Sequence, residues 1–85
     1  MTRMHMNRER RAILRVLLRT DRHLNAREIA NVLSITPDTV RRALARFEER
    51  QWVVTRDGSA RRFFTINPEA RTQIEVVLEG WPDGL

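Results

Sequence analysis

Residues 33–53 constrain the fold more than any other stretch of this chain. Their spacing predicts the end of a short helix, a turn of a few residues, a second helix and the entry to a strand. Thr36 stands where its hydroxyl can cap the second helix, and Pro37 follows at the first helical position, where a missing N–H costs nothing. Val40, Ala43, Leu44 and Phe47 fall at i, i+3, i+4 and i+7, so one face of this helix belongs to a core. Arg41, Arg42 and Arg46 occupy the opposite face. A helix anchored on its back and basic on its front has the form that enters the major groove of a duplex.

The flanking segments supply the rest of a small domain. Residues 7–20 read as helix 1 with Asn7 as its cap, centred on Ile13, Val16 and Leu17 and widened by Leu14 and Leu18. Arg8, Arg11, Arg15 and Arg19 recur on its other side, which reads as a solvated charged face in preference to a second nucleic-acid surface. In the next connector, His23 and Leu24 offer a very short strand. Asn25-Ala26-Arg27-Glu28 has the form of a capping box opening helix 2 over 26–33. Its two alanines allow close packing against the third helix, predicted over 37–50.

Residues 52–66 read as a hairpin, with strands at 52–56 and 61–66, a reversal at Asp57-Gly58, and Ser59-Ala60 lengthening the tip. Trp52, Phe63 and Phe64 could stack on bases, but so small a domain needs their bulk for its core or the hairpin root. Asn67-Pro68-Glu69 opens a last helix over 68–79. Ala70, Ile74, Val77 and Leu78 form its stripe, Trp81 extends it, and Gly80 and Pro82 end it. With no repeat, low-complexity block or linker, residues 1–85 read as one domain.

Leu33, Ile35, Thr36, Thr39, Val40, Leu44, Phe47, Glu48, Glu49, Trp52 and Val53 together resemble the winged helix-turn-helix DNA-binding domain of MarR-like and GntR-like transcriptional regulators. The resemblance spans roughly residues 10–66. Ser34 and Gln51 stand where that pattern usually has glycine in a left-handed backbone, a departure worth about 1 kcal/mol at each position. The resemblance implies an α+β fold: a three-helix core, a two-stranded β-hairpin wing and a C-terminal helix. It also implies double-stranded DNA as the partner.

On that fold, Thr36, Asp38, Thr39, Arg41, Arg42 and Arg46 are the expected contacts of the recognition helix. Arg42 is the first candidate for a bidentate guanine contact and Arg46 the next, while Thr36 and Thr39 can serve bases or phosphates. The competing account of Arg42 is an i,i+4 ion pair with Asp38. Glu48 and Glu49 repel phosphates, so the N-terminal half of the helix is the part that enters. The outward Ala45 permits close approach. Arg56, Arg61 and Arg62 on the wing are expected to meet phosphates or an adjacent minor groove.

Composition agrees. The net charge is +5 and all sixteen basic residues are arginine, several of them placed on this helix and wing. The absence of cysteine excludes disulfides and zinc–thiolate sites. An enzyme reading fails, and no metal or cofactor is expected. Lysine and tyrosine are absent, His5 and His23 fall in a tail and a connector, and Ser34 and Ser59 suit turns. The apolar run at 13–18 is too short for a bilayer and residues 1–6 lack the apolar stretch of a signal peptide, so no membrane partner and a cytoplasmic location are expected. The alternatives are a protein-interaction winged helix and an accessory protein of DNA replication or recombination. RNA binding lacks a recognised single-strand motif. A homodimer through helix 1, the C-terminal helix or both is expected; the competing account has those helices cover each other within one monomer.

Overall fold

The structure, a computed structural model, describes residues 6–80. The elements run α1 (Arg8–Leu18), α2 (Ala26–Leu33), α3 (Pro37–Glu49), β1 (Val53–Asp57), β2 (Arg62–Ile66), a 3-10 turn (Pro68–Ala70) and α4 (Arg71–Glu79). This is the expected winged helix-turn-helix. His5, Trp81 and Pro82, expected from the sequence as tail, stripe and stop, lie outside the described residues.

The first three helices start where the sequence supplies a side-chain oxygen. Asn7 Oδ1 accepts from the Arg10 N–H at 2.8 Å. Asn25 Oδ1 accepts from the Glu28 N–H at 2.8 Å while Glu28 Oε1 accepts from the Asn25 N–H at 2.9 Å, completing the capping box. Thr36 Oγ1 accepts from the Thr39 N–H at 3.3 Å, with Pro37 behind it. The turns that orient α3 rest on two left-handed residues, Ser34 at φ 57° and Gln51 at φ 61°. They are the two positions where glycine was missing from the sequence pattern. Left-handed strain of about 1–2 kcal/mol outweighs the extra unfolded-state entropy of glycine, about 0.4–1 kcal/mol. Ser34→Gly and Gln51→Gly are therefore each expected to stabilise the domain by about 0.5 kcal/mol, read as a raised urea midpoint. A lowered midpoint would show that the side chain holds its turn.

Helix α1 lies at the centre, packed on α2, α3, β2 and α4. Ile13, Leu14 and Leu17 are at most 1% exposed. Being surrounded corrects one expectation: Arg11, assigned to the solvated face, is buried at 3% exposure, whereas Arg8 and Arg19 stay exposed. The helix also ends at Leu18, two residues before the expected Thr20, and Arg71 on α4 donates to the Leu18 carbonyl at 3.1 Å. The centre of the apolar face of α1 is thus packed inside the monomer, while Val16 and Leu18 at its edges stay half-buried.

The wing strands pair antiparallel from Val53↔Ile66 to Asp57↔Arg62. β1 begins one residue later than expected because the Trp52 N–H bonds back to the Phe47 carbonyl at 2.9 Å, closing α3 instead of entering the ladder. Leu24 exchanges bonds of 2.9 and 2.7 Å with Phe64 on the far side of β2, so the very short strand expected there forms as a single bridge. Trp52 and Phe64 are buried, Phe63 is half-buried, and Trp52 stacks on Phe47 at 6.0 Å between ring centres. At the tip, a Cβ on Gly58 would come within 2.7 Å of the Phe63 ring, so any side chain there must displace that ring. Asn67 fastens the root of the wing to the 3-10 turn: its side chain accepts from the Glu69 N–H at 3.1 Å and donates to the Gln51 carbonyl at 2.7 Å. The expected last helix divides accordingly into a 3-10 turn and α4.

Candidate nucleic-acid interface

Burying Val40, Ala43, Leu44 and Phe47 turns the opposite side of α3 outward. Asp38, Arg41, Arg42, Ala45 and Arg46 are all exposed there, Thr36 is exposed at the cap and Thr39 is half-buried. The two threonine hydroxyls lie 2.8 Å apart and share a hydrogen bond, so each meets a ligand with part of its capacity already used. Arg42 is pre-aimed by Asp38. Its Nη2 and Nε lie 2.6 and 3.1 Å from one Asp38 oxygen, and the side chains remain 79% and 64% exposed. The ion-pair account of Arg42 is the one this geometry shows, and because a guanidinium has five donors, Asp38 takes only one edge of it. Arg46 lies 3.7 Å from Glu49, a long contact that leaves it available.

The wing divides its arginines. Arg56 and Arg61 are exposed and, like Arg41, have no ion pair, hydrogen bond or ring contact from the side chain among the described residues. Arg62 is engaged. It lies 3.0 Å from Glu48 at the end of α3 and 3.4 Å from Asp57, and it covers the Phe64 ring at 5.7 Å. The hydrogen bond it donates to Glu48, and then the Glu48 charge, raise its guanidinium further above the ordinary range. Glu48, expected only to repel phosphates, instead joins the recognition helix to the wing. A groove of about 430 Å³ separates these surfaces, and Arg27 at the start of α2 stands on its rim beside Arg41 and Arg61. Arg27 carries no local sequence signal, because folding alone brings positions 27, 41 and 61 together.

Among the described residues no group of His, Asp or Glu is placed to hold a metal ion, and no helix is long and apolar enough to cross a membrane. Helix-turn-helix, hairpin and basic front together define a winged-helix protein. The MarR family model matches residues 6–62. The chain belongs to the MarR family, whose members are winged-helix regulators of transcription.

Reduced HlyU from Vibrio cholerae is similar in structure, with a TM-score of 0.68 at 25% identity over 88% of this chain and 78% of that one. YusO from Bacillus subtilis gives 0.76 at 19% identity, over 88% of this chain and 55% of its own. The transcriptional regulator Tm0710 from Thermotoga maritima gives 0.69 at 20%, over 86% and 53%. The chain thus spans little more than half the length of the last two, and at these identities they share its fold. No curated protein matches it in sequence.

Proposed function

We propose that this chain binds duplex DNA in a sequence-specific way and regulates transcription through it. The observation that carries the reading is the outward face of α3, where Arg41, Arg42 and Arg46 stand exposed over a buried apolar back. In this reading Arg42 and Arg46 read base edges in the major groove, and Thr36, Asp38 and Thr39 set the entry of the helix. Arg41, with Arg56 and Arg61 on the wing, meets phosphates or the adjacent minor groove. Selection from random duplexes is expected to return a common motif, bound with strongly salt-dependent affinity. Failure to retain any duplex at low salt would remove DNA binding and leave the protein-interaction module as the function.

Assembly belongs to the same reading. MarR-type regulators commonly dimerise. In this reading the contact uses helix α1, α4 or both: Val16 and Leu18 are half-buried on α1, and Val76 is 61% exposed on the outer side of α4. A two-fold dimer places its recognition helices on an inverted repeat with half-site centres about 34–36 Å apart, or a multiple of that. Sedimentation equilibrium and binding stoichiometry on the selected duplex test it. One copy in solution and one copy on DNA would eliminate the dimer.

A further inference from the structure

Every basic side chain of this sequence is a guanidinium, and neither a lysine amine nor a cysteine thiol competes with it for an electrophile. That composition leaves open the chemistry of α-dicarbonyls, which close a ring across the two terminal nitrogens of an arginine. Nη1 and Nη2 each bond to one carbonyl carbon, their N–H protons pass to the carbonyl oxygens, and the guanidinium gives one proton to solvent. One of the two new hydroxyls then leaves as water and the other becomes a ring carbonyl. The product, a hydroimidazolone, is uncharged near neutral pH, and no oxidant or reductant is needed. The fold decides which arginines have both terminal nitrogens open. Arg42 Nη2 is held 2.6 Å from Asp38, and Arg62 Nη2 is held 3.0 Å from Glu48, so a ring there must first break a charge-assisted bond. The bond to Glu48 also raises the Arg62 guanidinium above its ordinary range, which opposes the proton loss that the reaction requires. Arg11 is shielded by burial. Arg41, Arg56 and Arg61 are exposed, and the side chain of each has no ion pair, hydrogen bond or ring contact among the described residues.

We propose that Arg41, Arg56 and Arg61 form a modification site for α-dicarbonyl electrophiles, and that their conversion to neutral rings releases the duplex. The order of reactivity rests on the side-chain partners alone, whereas the release rests on the proposed DNA binding. Exposed arginines elsewhere, such as Arg22, react without consequence for the duplex. A bound duplex covers the three reactive groups, so modification falls on the free chain and keeps it free.

The test treats the full chain briefly with methylglyoxal, alone, with excess selected duplex and in urea, and reads each arginine by peptide mass spectrometry. In the folded free chain Arg41, Arg56 and Arg61 are expected to be modified several-fold more than Arg42 and Arg62, and urea is expected to abolish the difference. Asp38→Ala opens Arg42 Nη2 and is expected to bring Arg42 to the level of Arg41. Equal modification of Arg41, Arg42 and Arg62 in the folded chain would overturn the site. Bound duplex is expected to protect Arg41, Arg56 and Arg61 and to leave Arg22 reactive. Once the reagent is removed, the modified chain is expected to bind duplex more weakly. Its slope of log affinity against log salt should fall by about 0.9 for each phosphate contact neutralised. If the untreated chain binds duplex and the modified chain matches it in affinity and slope, the release is overturned and DNA binding stands. If the untreated chain binds no duplex, the DNA reading fails, and the order of modification in the free chain decides the site by itself.

Discussion

Phe47→Ala is expected to remove about 3–5 kcal/mol of folding free energy, the range for truncating a buried aromatic. Phe47 is fully buried, stacks on Trp52 at 6.0 Å, and its carbonyl accepts the Trp52 N–H that closes α3. The Phe47 ring and main chain therefore both join the recognition helix to the wing root, and the substitution removes the first of these links. Domains in general hold about 0.05–0.15 kcal/mol per residue, so one of this size has little left after such a loss. Urea unfolding followed by circular dichroism should show the midpoint falling toward zero denaturant. A loss below about 1 kcal/mol would mean that the core closes over the space, and that Phe47 is not the joint between helix and wing.

Arg42→Ala is expected to separate binding from folding. The Asp38–Arg42 pair is largely exposed and spaced i,i+4, so removing it should change stability by no more than about 0.5 kcal/mol. Losing a bidentate guanine contact should instead reduce affinity for the selected duplex by about 1–3 kcal/mol and relax one base position. Affinities on every single-base variant of the site distinguish the outcomes. Uniform weakening would place Arg42 on a phosphate, and unchanged affinity would reject its role. Asp38→Ala refines the same test. It frees the edge of Arg42 that Asp38 now holds and removes a negative charge from the front, so unrelated duplexes should bind more tightly while discrimination falls.

Those features were legible wherever a few neighbouring residues determine the outcome. The caps at Asn7, Asn25 and Thr36 follow from one side chain meeting an N–H three residues on. The left-handed turns at Ser34 and Gln51 follow from the places where a family pattern requires glycine. The buried face of α3 follows from its period. Arg11 departs from its expected face because periodicity divides a helix into two faces, while α1 is packed on four elements. The start of β1 was misplaced because the Trp52 N–H is claimed by a helix carbonyl, a competition that strand propensity does not register. The recognition arginines could be named from their spacing. The commitment of Arg62 to Glu48, fourteen positions away, and the convergence of Arg27 on the groove exist only once the hairpin has folded back.

The bridge between Leu24 and Phe64 makes the wing separable into two parts with different freedoms. Strand β2 is bonded to Leu24 on one side and to β1 on the other, and Asn67 fastens its far end to Gln51. These fastenings are made largely through main-chain atoms, so side-chain drift along the hairpin leaves the angle between wing and recognition helix unchanged. The stretch from Gly58 to Arg61 lies beyond the last ladder pair and is tied across by the Gly58 N–H bond to the Arg61 carbonyl. Lengthening or rewriting Ser59 and Ala60 within that stretch alters how far the hairpin extends while its bearing on the helix is kept. In an evolving lineage, reach can then change one tip residue at a time against a fixed frame.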